Sequence, residues 1–493
     1  MSEDRSSFRN ILKATSLFGG VQIFQIIISI IRGKVVAVLL GPEGVGIVGI
    51  LTSTSGIIQR ATNFGLSISA VRDLAEANET GSQTRVSLVI RVLKRIIWIT
   101  GALGALTTLI LSPWLSKVAF GNQDYTFAFI WISITLLFDQ LASGQVIVLQ
   151  GLRKLKALAK ANIIGSSAGL LVGLPLYYWF GINAIVPNII LGSLSSMIIS
   201  WFYARKISIK QISISCVKAY LVGKKMLVFG FLLNLTAFMG LATDFILRLF
   251  ISNQGGIEQV GLFTAGFAIL NSYIGMIFSA MSTEYYPRLS GVASDKVKCS
   301  ITINEQIEIS IIIMTPIIIA FMLFIHWGLI LLYSQKFVPV ESMLRWAAVG
   351  ILIRTAAWAI GYVFMAKGDS KLFISVSIVA NIYTLALNLV SYHYFGLTGL
   401  GISYTVTGLL LFLVNFAVSN KYYQFRFQTT LIKIFIYLNI LVFLTFYLMT
   451  FYNLSYKFLW GIICFLVSSL FALYEMNKRV DLKEAVGRFL KRK

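Results

Sequence analysis

Apolar residues run through this chain in stretches too long and too frequent for the core of a soluble domain. Fourteen stretches are each long enough to cross a bilayer as a helix: 10–39, 46–71, 87–112, 126–149, 157–180, 182–203, 221–251, 260–285, 307–333, 343–366, 371–394, 397–419, 431–451 and 458–475. The connections are short. The longest, about 72–86, 204–220 and 286–306, are basic and too small to hold a domain. The first stretch is too long for a signal peptide and lacks a small-residue cleavage site, so it is expected to be retained.

Polar residues inside these stretches gather on single helical faces. Gln22, Gln25, Ser29 and Arg32 recur at steps of three, four and three, and Lys34 follows two residues on. In the second stretch Thr52, Gly56, Gln59, Arg60, Asn63 and Ser67 form one continuous polar face with Arg60 near mid-membrane. An arginine at the centre of a span costs roughly 2.5–3.5 kcal/mol on insertion scales, so it is expected to face water or a partner charge. The fourth stretch aligns Thr135, Asp139 and Ser143, and the tenth aligns Gly350, Arg354 and Gly361, with Arg345 toward the outer end. Asp139 either pairs with Arg60 or Arg354 or exchanges a proton. The seventh carries Asp244 and Arg248 four residues apart, either a pair that neutralises itself within the helix or a functional pair. The eighth has a milder stripe, Thr264, Ala268, Asn271, Gly275 and Ser282, which reads as close-packing surface. Aromatic residues near the ends of the stretches (Tyr177, Tyr178, Trp179, Tyr392, Tyr394, Tyr422, Tyr423) read mostly as an interface belt.

The composition is 57% hydrophobic and 12% charged, which excludes an ordinary soluble domain and a disordered chain. A net charge of +23 first suggests nucleic acid, but the placement of the 42 Lys and Arg argues against it. With the N-terminus inside, 33 fall on one side, only Lys117, Lys336 and Lys457 on the other, and six within spans. The positive-inside rule then places both termini in the cytoplasm. Cys216, Cys299 and Cys464 fit no redox or metal spacing, and His326 and His393 are isolated, so neither a metal nor a cofactor is expected. Arg32, Lys34, Arg60, Arg248 and Arg354 outnumber Asp139 and Asp244 at the centres of the spans. A wet, low-dielectric interior of that sign attracts an anion, and arginine forks match phosphate oxygens two at a time, so a diphosphate is the natural guest.

An internal repeat is visible. GPEGVGIVGI at 41–50 matches GIEQVGLFTA at 256–265, and FGINA at 180–184 matches FGLTG at 395–399, with the same spacing from 41 to 256 as from 180 to 395. Arg32 and Arg248 correspond within one residue of that repeat spacing. Six spans fit each copy in the same orientation, a parallel repeat about an axis along the membrane normal. The expected domains are an N-lobe at 1–205, a C-lobe at 206–425, and an appended hairpin with a basic tail at 426–493.

Several motifs, taken together, carry a resemblance. GKVVAVLLGPEGVG at 33–46, FGNQDY at 120–125, YYPRLS at 285–290, SQKF at 334–337 and GYVFMAKGDSKLF at 361–373 resemble the Wzx-type lipid-linked oligosaccharide flippases. These are the O-antigen and enterobacterial-common-antigen translocases of the polysaccharide transporter branch of the multidrug/oligosaccharidyl-lipid/polysaccharide superfamily. The likeness covers about residues 10–420, and the final hairpin is similar to that of the fourteen-span members. It implies an all-α polytopic membrane protein, a V of two six-helix lobes around a cationic cavity that opens inward and outward. It implies a cargo of undecaprenyl-diphosphate-linked repeat units moved to the outer leaflet of the bacterial cytoplasmic membrane, in lipopolysaccharide or other polysaccharide biosynthesis. Lys34 matches the lysine of the GKxxAxxxGPxGxG pattern, whereas Arg32, Arg60 and Arg354 rest on the physical argument. Membrane lipids, other polysaccharide-assembly proteins and a proton or sodium gradient are the implied partners, with Asp139 or Asp244 as coupling candidates. A cation/drug antiporter of the same superfamily would need acidic residues to hold its cargo. A membrane glycosyltransferase or polymerase would need carboxylates on a sizeable outer loop, and this chain offers little beyond Glu43, Asp124, Glu258 and Glu341 there.

Overall fold

The computed structural model describes residues 2–207, 216–451 and 456–479, and among them every regular element is a helix. In order these are α1 (Ser2–Asn63), α2 (Leu66–Glu79), α3 (Gln83–Phe120), α4 (Thr126–Gly151), α5 (Leu155–Phe180), α6 (Ile185–Ala204), α7 (Cys216–Ile269), α8 (Gly275–Gly291), α9 (Lys296–Leu332), α10 (Glu341–Ala366), α11 (Ser370–Tyr423), α12 (Thr429–Phe451) and α13 (Lys457–Arg479). Ten stretches of the described residues are long and apolar enough to cross a membrane, and the chain is a multi-pass membrane protein. Four of the ten hold a sharp break: at Gly41 in α1, at Gly181 between α5 and α6, at Gly256 in α7 and at Gly396 in α11. At Gly41 φ and ψ are 70° and −170°, and at Gly256 they are 81° and 174°. Gly181 (56°, −132°) and Gly396 (56°, −141°) form a second matched pair. All four lie where only glycine sits without strain. The members of each pair are one repeat spacing apart, so the sequence repeat is also a repeat of backbone conformation.

The chain divides into two compact units, Met1–Gly261 with Leu332–Ser334, and Leu262–Leu331 with Gln335–Lys493. In the first unit, lipid gives helices no hydrophobic reason to associate, so close approach of small residues does the packing. A Cβ on Gly46 would stand 2.1 Å from the Ile257 carbonyl oxygen, and one on Gly261 would stand 1.8 Å from the Pro42 oxygen. Pro42 corresponds to Ile257 in the repeat, as Gly46 does to Gly261, so the contact reads the same from either turn. A second close approach joins Gly65 to Gly230, where a Cβ would lie 2.1 Å from carbonyl oxygen. The second stretch ends earlier than its hydropathy predicts. Phe64 and Gly65 have φ of 50° and 68°, so α1 stops at Asn63 and α2 starts afresh. Leu66, Leu74, Ile90, Leu93 and Met226 bury an apolar cluster beneath it.

In the second unit, the hairpin of α12 and α13 is fastened rather than loose. Arg345 donates to the Met449 carbonyl and pairs with Glu341; Arg479 bridges Glu475 and Glu308. Gly461 faces Leu323 closely enough that a Cβ would clash, and Trp327 meets Phe458 at 5.1 Å. His326 is not isolated, as sequence spacing suggests, but lies 2.8 Å from Glu341.

Candidate functional site

The polar face of α1 behaves differently along its length. Gln22, Ser29 and Arg32 are exposed, and Gln25 and Lys34 are half-buried. The Arg32 guanidinium leans on α5 at Gly169, where a Cβ would come within 3.1 Å of Nη2. Its charge reaches Tyr177, whose hydroxyl accepts a 2.6 Å hydrogen bond from Asn188 Nδ2. Tyr177 is 4% exposed, and Tyr392, its counterpart in the repeat, is 6% exposed. Both depart from the interface belt, to which the exposed Tyr178, Trp179 and Tyr394 conform. Asn188 gave no sequence signal, because a lone asparagine in an apolar run has no periodic partner.

Beyond the break, most of the hydroxyls of α1 bond back to the helix, as Thr52, Ser53, Thr54 and Ser55 do. Asn63 is buried and accepts from the Leu66 N–H at 3.2 Å, so its side chain is spent on the turn into α2. Gln59 and Arg60 remain half-buried. Within the first unit no described residue hydrogen-bonds or ion-pairs with Arg60. Asp139 sits on α4 beside Ser193 of α6, and no cation of the first unit is within ion-pair distance of it.

Arg248 is paired. Its Nη2 lies 3.1 Å from Asp244, and Nη1 donates to the Gly49 carbonyl at 3.1 Å, which ties α7 to α1. The two side chains are 11% and 21% exposed. Truncating Asp244 to alanine strands a largely buried guanidinium, and should lower stability by about 3–5 kcal/mol. Asp244→Ala with Arg248→Leu should recover most of that loss, as read from denaturation midpoints in detergent micelles.

In the second unit Arg354 is held without a carboxylate. Its Nε donates to the Tyr404 carbonyl at 3.2 Å and its Nη2 to Thr407 Oγ1 at 2.7 Å, while its plane lies 3.9 Å over the Tyr404 ring. Its stem rests on Gly408, where a Cβ would approach Cγ to 2.8 Å. Gly350 and Gly361, on the same face of α10, admit Thr405 and Asn415 of α11 at 2.7 and 3.0 Å from a built Cβ, so they serve packing. Asp139 and Arg354 occupy equivalent places in the two copies of the repeat, and so do the residues they touch, Ser193 and Gly408.

Among the described residues, helices only, glycine-broken spans, a backbone repeat and span arginines that meet no carboxylate of their own unit fit a polytopic transporter. The solved structures agree on the fold. Similarity is found to a lipid II flippase, MurJ, in an inward closed conformation (TM-score 0.68, 13% identity, 95% of this chain and 99% of that one). An inward-facing multidrug resistance MATE family transporter of the MOP superfamily scores 0.68 at 18% identity, over 83% and 96%. The family model described as polysaccharide biosynthesis protein matches residues 35–342, more than half of the sequence, and the chain belongs to that family. The lipid III flippases of Escherichia coli (strain K12) and Shigella flexneri are each 20% identical over 352 residues, 69% of this chain and 82% of theirs.

Proposed function

We propose that this protein is a flippase that carries a polyprenyl-diphosphate-linked glycan, such as an undecaprenyl-diphosphate repeat unit, from the inner to the outer leaflet of a bacterial cytoplasmic membrane. The observation that carries the reading is Arg60, a half-buried cation in a membrane helix with no counter-ion in its own unit. A protein retains such a group where a mobile anion completes it. Arg32 and Arg354 extend the argument, since neither meets a carboxylate of its own unit. Lys34 is a further candidate contact; Arg248, already paired with Asp244, serves chiefly to position α7. Gln22, Gln25, Ser29 and Gln59 are candidate contacts for sugars.

The four breaks are read as turns at the membrane surface, so that the ten stretches become fourteen crossings with both termini cytoplasmic. Two six-helix lobes (1–205 and 206–425) then alternate access, and the hairpin at 426–493 is accessory. Asp139, without a cation partner in its unit, is the better candidate for coupling to a proton or sodium gradient; Asp244 is committed to Arg248. The fold is shared with a multidrug transporter, which keeps a drug antiporter as the second reading, but the excess of arginine opposes a cationic cargo.

The test is expression of the chain in strains each lacking one lipid-linked glycan flippase, scored for restored surface glycan, beside a drug-sensitive strain lacking its efflux pumps. Rescue of a flippase strain without drug protection is expected. Drug protection with no rescue overturns the proposal.

A further inference from the structure

A groove of about 810 Å³ lies on the first unit along α4, between α3 and α6. Its floor and walls are apolar, with Leu137, Phe138 and Val148 on α4 and Trp98 and Trp201 on either side. Gly144 lets α3 close on α4, since a Cβ there would stand 2.2 Å from Ile97 Cδ1. One end of the groove carries Lys94 and Arg205. Both are exposed, neither meets a carboxylate of its unit, and Arg205 stacks over Trp201 at 4.7 Å.

We propose that this groove is a binding site for an anionic glycerophospholipid of the cytoplasmic leaflet, its phosphate between Lys94 and Arg205 and its acyl chain along α4. Length supports it. From Leu137 to Val148 the helix advances eleven steps, about 16 Å at 1.5 Å per step, which is half of a hydrocarbon core about 30 Å thick. The groove is therefore one leaflet deep, with its cations at headgroup level. Side supports it as well, because the basic end belongs to the face that carries 33 of the 42 Lys and Arg. Charge selects the headgroup: two uncompensated cations suit a net negative phosphodiester and gain little from a zwitterion. The site is separate from Arg32, Arg60 and Arg354 and stands whatever cargo the protein carries.

The test is native mass spectrometry of the full chain released from micelles after titration with phosphatidylglycerol, phosphatidylcholine or undecaprenyl phosphate. Phosphatidylglycerol is expected to bind about thirtyfold more tightly than phosphatidylcholine, about fivefold for each cation. Lys94→Ala with Arg205→Ala should erase that preference and leave phosphatidylcholine binding as it was, which shows the fold intact. Leu141→Trp, which fills the groove, should weaken both lipids. Equal affinity for the two phospholipids, a preference that survives the double substitution, or displacement of phosphatidylglycerol by an equal concentration of undecaprenyl phosphate would each overturn the proposal.

Discussion

Gly261→Ala is expected to disable the protein, although it adds a single methyl group. The new Cβ would lie 1.8 Å from the Pro42 oxygen and 2.9 Å from the Gly46 nitrogen, both backbone atoms with no rotamer to change. The two turns must separate to accept it. Overpacking of this kind costs about 1–3 kcal/mol in ordinary cores, and the absence of a yielding side chain puts this site at the upper end. Gly275→Ala is the control, because a Cβ there meets nothing within 4 Å. It should be neutral or mildly stabilising, by about 0.5–1 kcal/mol. Denaturation midpoints in micelles separate the two variants, and rescue of a flippase-null strain reports their transport. An unchanged midpoint for Gly261→Ala would mean that the turns do not meet this closely.

Arg60→Leu is expected to do the opposite, leaving stability largely intact while removing transport. No group of its unit loses a partner when Arg60 is replaced, and the guanidinium stands in the last turn of α1 without a counter-ion, so no large loss of stability is expected. A bidentate contact to phosphate contributes about 3 kcal/mol, so transport should fall about a hundredfold. Arg60→Lys keeps the charge without the fork and should fall between, near tenfold. Initial flipping rates in reconstituted vesicles give the transport ratio. Parallel loss of stability and transport would return Arg60 to a structural role.

Periodicity and glycine placement made most of the architecture legible. Hydropathy marks spans whatever their tertiary partners, because the bilayer imposes one length on all of them. The repeat was legible at Gly41 and Gly256 because a positive φ leaves only one residue type, and such positions keep their identity while the side chains around them diverge. The motifs that carry the family likeness turn out to hold turns and helix ends. Phe120 stacks on Tyr125 at 3.8 Å in FGNQDY, Tyr285 of YYPRLS is fully buried and donates to the Ala359 carbonyl, and Arg288 bonds Glu284 and Gln306. The candidate site was less legible. Spacing placed Asn63 on one face with Arg60, because a helical face shows what points together and not what is already satisfied. Asn63 accepts from the Leu66 N–H, a partner that had to be seen in space, whereas the Asp244–Arg248 pair is one of the two readings their four-residue spacing offers. Asn188 and Ser193 escaped for the converse reason, since each matters only through a neighbouring helix.

The inherited frame and the charges it carries obey different rules. Two copies of one helical plan have kept their bends, and even their helix-to-helix touching points, in step along the chain. At one such point the first copy holds a carboxyl, Asp139, and the second a guanidinium, Arg354. A pair of identical halves would offer an anion two equivalent berths and leave it free to dock either way round. The sign differs at Asp139 and Arg354, so on the proposed function the two copies would not receive an anion alike. On the proposed function the scaffold stays symmetric enough to rock, while its cargo is given a single orientation, as a molecule with a charged head and a greasy tail requires.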